Sequence, residues 1–236
     1  MEDIKAIPFD SGKVLNGPAS GHWFITPNFW KYVNKDKFDS IDKDKINMAF
    51  REAGNKIDEY NFITSLDEEY QCFIEFYEIF SSRLLELELS KSEVTCLAKD
   101  LVFNTEKYVF YEDVFEELPK LREKYKLAVV SDAWPSIFDV YEKNDLRKYF
   151  DSFIVSSVLG VCKPHRMMYE AALDELDVKP EEAIFIDDSL KNCLGAMELG
   201  IKAYLLCRDY EDYLWCKENY KDEGVEIIHS LGEINL

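Results

Sequence analysis

Through the second half of the chain, short apolar runs ending in polar turns alternate with amphipathic segments of helix length. Lys126–Ser131 (KLAVVS), Ser152–Ser156 (SFIVS), Ala183–Ile186 (AIFI) and Ile201–Leu206 predict strands. Glu112–Tyr125, Ser136–Lys143, Met167–Leu176 and Leu190–Leu199 predict the helices between them, and Gly200 stops the last of these. In the third helix Met168, Ala171, Ala172 and Glu175 occupy two adjoining faces, and small alanines let a helix lie close on a sheet. Apolar strands alternating with helices predict a parallel sheet covered on both faces. Asp209–Tyr220 predicts a terminal helix and Val225–Ile228 a short strand. The aromatic residues Tyr210, Tyr213, Trp215 and Tyr220 are expected to pack that helix rather than to form an interface.

The first part of the chain follows another pattern. Ile4–Phe9 predicts a strand, but Asn16–Gly21 (NGPASG) then breaks the chain with a proline and two glycines. Residues 25–107 are mostly helical in pattern. Their clearest stripe is Leu66, Tyr70, Phe73, Tyr77, Phe80, Leu84 and Leu87, which predicts one helix over Leu66–Leu89 packed into a helical core. Pro8 removes one N–H from the first strand, so a bulge or a shifted strand end is expected there. The fold class is therefore α/β, a Rossmann-like parallel sheet core with an inserted helical cap domain. Residues 1–15 and 108–236 would form the core, and 16–107 the cap.

Composition narrows the class. The 236 residues are 47% hydrophobic, enough for a sizeable core, and no apolar run is long enough to span a bilayer. The segment MEDIKAIPFD lacks the pattern of a signal peptide. With 28 Lys and Arg against 47 Asp and Glu, the net charge is −19. Such a field repels nucleic acid and anionic membrane surfaces, which excludes both as expected partners. Six scattered cysteines without a C-x-x-C pair are expected to be thiols in a cytoplasmic protein. The charge is compatible with a monomer or a dimer.

In a parallel α/β sheet, ligands bind beyond the carboxyl ends of the strands. The first strand ends at Asp10-Ser11-Gly12, another at Ser131-Asp132, and a third at Asp187-Asp188-Ser189, while Lys163 precedes Pro164 in a loop before a helix. Each is unremarkable alone: an Asp at a strand end is most often a cap, and Lys163 could be a surface lysine. Together they place several carboxylates on one edge, where they repel one another unless a divalent cation sits among them. Hard oxygen donors suit Mg²⁺. A lysine, a hydroxyl and nearby helix N-termini suit an anionic group. The combination points to metal-assisted chemistry on a phosphoryl group, with one carboxylate free as nucleophile.

FDSGKVL, VVSD, GVCKP and IFIDDSLKNCLGAMELGIKAYLL resemble the four motifs of the haloacid dehalogenase-like superfamily, the last being the most specific. The order fits: 121 residues separate Asp10 from Ser131, room for a cap, and 32 and 24 separate Ser131, Lys163 and Asp187. The resemblance covers roughly 1–15 and 108–207, and it is to helical-cap phosphatases, including glucose-1-phosphate phosphatase-like members. It implies a phosphatase of a small phosphorylated metabolite, with Mg²⁺ as cofactor. Asp10 would be the nucleophile. Ser131 would bind phosphoryl oxygens, helped by the backbone N–H groups of Asp132 and Ala133. Lys163 would neutralise charge, and Asn192 would orient the loop and help bind substrate. Asp10, Asp188, the C=O of Gly12 and, directly or through water, Asp187 would hold the metal. Such roles amount to positioning and electrostatic stabilisation.

Gly12 departs from the pattern, since the family's phosphatases usually carry an acid/base Asp at that position. The C=O contact survives this change, but general acid–base help of about 10²–10⁴-fold does not. Good leaving groups, such as sugar 1-phosphates or acyl phosphates, are then the expected substrates. His22 is a candidate for a replacement acid, although a packing histidine is the commoner case. His165 and Arg166 could face an anion or merely cap a helix and meet solvent. Two other functions stay open: a catalytically weak phospholigand-binding or regulatory protein, favoured by Gly12, and a haloacid dehalogenase using Asp10 without metal. A mutase, which needs the missing acid/base, is disfavoured.

Overall fold

The computed structural model describes residues 3–60 and 62–234. Residues 1, 2, 235 and 236 of the expected core and Asn61 of the insert lie outside them. In chain order the strands are β1 Ala6–Phe9, β2 Asn16–Pro18, β3 Tyr108–Phe110, β4 Lys126–Ser131, β5 Ser152–Val155, β6 Ile184–Asp187, β7 Lys202–Leu206 and β8 Glu226–Ile228. The helices are α1 Phe29–Tyr32, α2 Lys35–Ser40, α3 Lys43–Ile57, α4 Leu66–Arg83, α5 Lys91–Phe103 and α6 Glu112–Arg122. They continue with α7 Ile137–Lys143, α8 Ser156–Leu159, α9 Arg166–Leu176, α10 Leu190–Met197 and α11 Tyr210–Asn219.

Six strands form one sheet in the order β5-β4-β1-β6-β7-β8, and β2 and β3 form a two-stranded sheet. Every pairing in the large sheet is parallel. Its strands are buried almost throughout, as their continuous apolar runs require when helices cover both faces. Met168, Ala172 and Ala196 pack against Ala128, Val130 and Phe185, where small side chains let α9 and α10 sit close to the sheet. The direction of winding reverses at β1, which lies between β4 and β6. A crevice therefore opens beyond the carboxyl ends of these three strands.

Pro8 lies in this central strand without a bulge. The register is the same on both sides of it, with Ala6 opposite Ala183 and Phe9 opposite Ile186. The Asp10 N–H donates to the Ile186 C=O at 2.8 Å. By the two-residue alternation of a strand, the position of Pro8 faces β6 too, so one rung of the β1–β6 ladder is lost and the register is kept.

The chain divides into two compact units. The first holds the described residues of Met1–Gly17, Phe110–Ala133 and Tyr141–Leu236, and the second those of Pro18–Val109 and Trp134–Val140. The second unit is helical and, beyond what a simple insertion would contain, takes in the segment that follows β4. Its core is built on Phe73, Phe76, Tyr77 and Phe80 of α4, packed with α3 and α5. Burying each such ring stabilises the fold by about 2 kcal/mol.

The expected Leu66–Leu89 helix is shorter, ending at Arg83 before a 3₁₀ turn at Leu85–Leu87. Leu66 and Tyr70 are only half buried, while Glu69, Cys72 and Phe76 lie on the buried face. The polar Glu69 hid that face from the hydrophobic pattern. In the C-terminal helix Tyr213 and Tyr220 pack against the Cys193–Leu205 cluster, but Tyr210 and Trp215 are exposed. No helix among the described residues is long and apolar enough to cross a membrane.

Candidate active site

Strand ends place the site. Asp10 follows β1, Ser131 closes β4 and Asp187 closes β6, the three strands that border the crevice. Lys163 reaches them from the loop before α9. Its ammonium lies 2.7 Å from Asp10 Oδ1 and 2.7 Å from Asp187 Oδ2, with its side chain almost wholly buried. Burial opposes an ammonium there, but Asp10, Asp187 and Asp132 together outweigh it and hold the Lys163 pKa well above its usual range. The Lys163 N–H also donates to Asp132 Oδ1 at 2.9 Å, which ties the β4 loop to the lysine loop.

Asp187 is fully buried and its two oxygens are engaged. Oδ1 accepts from the Ser189 N–H at 2.8 Å and from Asn192 Nδ2 at 3.1 Å, and Oδ2 accepts from Lys163 Nζ and from Asn192 at 3.2 Å. Asn192 is itself held, since its C=O accepts from the Tyr169 hydroxyl at 2.8 Å. Its amide thus addresses Asp187. Asp188 is half buried, and Lys13 Nζ approaches it only to 3.7 Å. Asp10 Oδ2 and the Ser131 hydroxyl have no hydrogen-bond partner among the described residues, so both are open to a ligand.

Carboxylate oxygens of Asp10, Asp187 and Asp188 all lie within 4.8 Å of one another. Burial first, and then the charge of Asp10, raises the pKa of both Asp187 and Asp188. Desolvation likewise raises Asp132 despite Lys163 beside it. Four carboxylates thus face two ammonium groups, one of them distant. A small divalent cation with hard oxygen ligands fits this donor set and charge surplus. Asp188 and Asp10 have capacity for it, whereas the donors that fill Asp187 suit it to a contact through water.

The chain matches the haloacid dehalogenase-like hydrolase family over residues 29–206. It belongs to that family. The match begins beyond the Asp10 loop. A glyceraldehyde 3-phosphate phosphatase of Pyrococcus furiosus is 26% identical over 181 residues, 74% of either chain. Among solved structures, a HAD phosphatase from Thermococcus onnurineus is similar with a TM-score of 0.65 at 22% identity, covering 98% of this chain and 96% of that one. The L-2-haloacid dehalogenase of Xanthobacter autotrophicus with chloropropionic acid covalently bound has a TM-score of 0.63 at 17% identity and the same coverages. At these identities the structures speak for the fold alone.

One expectation is corrected in this hydrolase, and for His22, His165 and Arg166 the packing, capping and surface alternatives hold. The Ala133 N–H is not available to a phosphate, because it donates to Ser156 Oγ at 3.1 Å. His22 Nδ1 accepts the Phe24 N–H at 3.2 Å, and its ring packs on Phe50 with centroids 4.5 Å apart. Burial lowers its pKa, which leaves it a poor proton donor near neutral pH. His165 caps α9 by accepting the Met167 N–H, and Arg166 pairs with Glu170 at 2.6 Å on the surface.

Other supports of the site escaped sequence analysis. Ser11 Oγ takes a hydrogen bond from Asn16 Nδ2 at 2.6 Å and shares another with Tyr141 Oη at 2.7 Å, all of it buried. The Ser11 C=O accepts from the N–H groups of Val14, Leu15 and Asn16. The guanidinium of Arg208 donates to the Val14 C=O and pairs with Asp113 at 2.6 Å, while lying over the Tyr111 ring. Only the serine in D-S-G hinted at any of this.

Proposed function

We propose that the protein is a Mg²⁺-dependent phosphatase of a small phosphorylated metabolite. The observation that carries this is the meeting of Asp10, Asp187 and Asp188, the first two paired with one buried lysine, with Asp10 Oδ2 free. Asp10 Oδ2 attacks phosphorus, and the bond from phosphorus to the leaving oxygen breaks. Water then attacks the phosphoaspartate, releasing inorganic phosphate and restoring the carboxylate. Lys163 neutralises Asp10 and the phosphoryl oxygens, the Ser131 hydroxyl donates to one of those oxygens, and Asn192 keeps Asp187 in place. Magnesium, held by Asp10, Asp188 and the Gly12 C=O, would supply further charge neutralisation.

Gly12 provides no proton for the leaving oxygen, which favours anomeric and acyl phosphates. The relative named for glyceraldehyde 3-phosphate supports a small phosphorylated carbon skeleton as substrate. The buried thiols of Cys72, Cys193, Cys207 and Cys216 suit a reducing compartment such as the cytoplasm. A second reading, dehalogenation at carbon, has the similar fold of the Xanthobacter enzyme in its favour but leaves the acidic cluster without a purpose.

Phosphate release across anomeric, acyl and alkyl phosphates, with Mg²⁺ and with chelator, tests the proposal. Release should require the metal and vanish in Asp10→Asn. Chloride release from 2-chloropropionate in the presence of chelator, with no phosphate release, would replace it by the dehalogenase.

A further inference from the structure

Strand β7 ends at Leu206 and runs parallel to β6, with Leu205 opposite Asp187. Arg208 therefore leaves the sheet at the edge that carries the site. The backbone before it is pinned to β8, where the Cys207 N–H donates to the Ile228 C=O at 3.0 Å and the Cys207 C=O meets His229 Nδ1 at 2.8 Å. The guanidinium points its fork two ways. Nε and Nη2 both donate to the Val14 C=O, at 3.2 and 2.5 Å, and Nη1 donates to Asp113 Oδ2 at 2.6 Å. Its central carbon lies 4.2 Å from the centroid of the Tyr111 ring. Asp113 is fixed in turn, because the Leu231 N–H donates to the same oxygen at 2.9 Å. Asp113 Oδ1 is buried without a hydrogen-bond partner among the described residues, so the carboxylate depends on Arg208 to offset its charge.

Val14 belongs to a strained loop. From Ser11 to Asn16 the chain turns back on itself: the Lys13 N–H donates to the Asn16 C=O at 2.6 Å, and the Ser11 C=O accepts from the N–H groups of Leu15 at 2.8 Å and Asn16 at 3.0 Å. The turn takes Lys13 through φ +58°, a left-handed conformation in which a side chain's Cβ crowds the backbone. Such a conformation persists where the surroundings hold it in place. Asn16 and Tyr141 hold the loop at Ser11, and Arg208 holds it at Val14. Gly12 lies between these two anchors, and Asp10 directly precedes the first.

We infer that Arg208 is a positioning residue of the nucleophile loop, setting the Gly12 C=O for the metal and the Asp10 carboxylate for attack through its hold on Val14. The inference rests on the phosphatase proposal and adds a residue to its machinery. Val14 is anchored by Arg208, Arg208 by Asp113, and Asp113 by the turn at Leu231–Glu233, so the terminal segment supports the end of the first strand. Arg208 and Leu231 both lie outside residues 29–206, the part that matches the family.

Arg208→Lys separates positioning from stability. It keeps a cation beside Asp113, but one ammonium cannot reproduce the fork that also fixes Val14. For acetyl phosphate and glucose 1-phosphate, kcat should fall by about 10-fold with KM little changed. The Kd for Mg²⁺, measured by calorimetry with the metal alone, should rise by about 10-fold, while the unfolding midpoint stays near that of the wild type. Asp113→Asn keeps an acceptor for the Leu231 N–H and removes the charge that aims the guanidinium, so both constants should move the same way by a smaller factor. Arg122→Lys, at the surface pair with Asp151, should change neither. Wild-type kcat and Mg²⁺ affinity in Arg208→Lys overturn the inference and leave the phosphatase intact. If Arg208→Lys does not fold, Asp113→Asn decides by the same two constants, and a loss confined to its unfolding midpoint overturns the inference. Absence of metal-dependent phosphate release from the wild type instead overturns the phosphatase proposal, and the inference with it.

Discussion

The phenol of Tyr141 lies 2.7 Å from the hydroxyl of Ser11, the residue next to Asp10. Tyr141 is fully buried, and burial raises its pKa far above the ordinary range, so it acts as a neutral hydroxyl that holds Ser11. Removing it in Tyr141→Phe leaves Ser11 with Asn16 alone. A net hydrogen bond of about 1 kcal/mol corresponds to roughly 5-fold. The expected result is a fall in kcat of that size with KM little changed, because the loop that carries the nucleophile is loosened while the ligand contacts remain. Steady-state kinetics separates the two constants.

Restoring the acid should change substrate preference. Among the described glycines the left-handed ones are Gly21, Gly160, Gly200 and Gly224, so Gly12 does not need glycine for its backbone. In Gly12→Asp, hydrolysis of an alkyl phosphate such as glycerol 3-phosphate should rise by about 10²–10⁴-fold, with a much smaller gain on acetyl phosphate. If the wild type already hydrolyses alkyl phosphates as fast as anomeric ones, the leaving-group argument fails.

In the helical unit Glu69 accepts from the Ser136 N–H at 2.7 Å, and Lys107 Nζ donates to Ser136 Oγ at 2.6 Å and to the Leu101 C=O at 2.7 Å. Burial lowers the Lys107 pKa to about 8 and raises that of Glu69. Glu69→Gln deprives the buried Lys107 of its main countercharge, with Asp139 and Asp100 contributing less, which should lower stability by about 3 kcal/mol in urea unfolding. Glu69→Gln combined with Lys107→Met should lose less than Glu69→Gln alone, because no uncompensated charge remains.

His22 gives a pH dependence of definite sign. Burial lowers its folded pKa below the 6.5 of the unfolded chain. The unfolded chain therefore binds more protons in the window just below pH 6.5, and stability falls as pH drops through it. His22→Asn keeps an acceptor for the Phe24 N–H but cannot titrate. Denaturation midpoints between pH 7.5 and 5 should fall further in the wild type than in the variant, and the change with pH should vanish above pH 7.

The sheet was legible because its strands are buried on both faces, so KLAVVS and AIFI stand out as continuous apolar runs. Asp10, Ser131 and Asp187 could be placed at one edge because a parallel sheet gathers its carboxyl ends there. Contacts made across the sequence were not legible. Nothing near Ala133 announces that Ser156, 23 residues away, takes its N–H. Glu69 was hidden because its partners, Ser136 and Lys107, lie far along the chain, and a glutamate in an apolar stripe looks like a solvent position.

The segment Trp134–Val140 belongs to the helical unit although it follows a core strand, so the polypeptide passes between the units four times. A cassette joined by two strands of chain could be excised or exchanged by recombination and still fold. Here, removing residues 18–109 would strip Trp134 and Ser136 of their partners and leave apolar surface on the remaining core. During synthesis, likewise, the helical unit stays unfinished until β4 and the start of α7 have left the ribosome. Its history is therefore expected to be one of gradual divergence together with the core rather than of wholesale replacement.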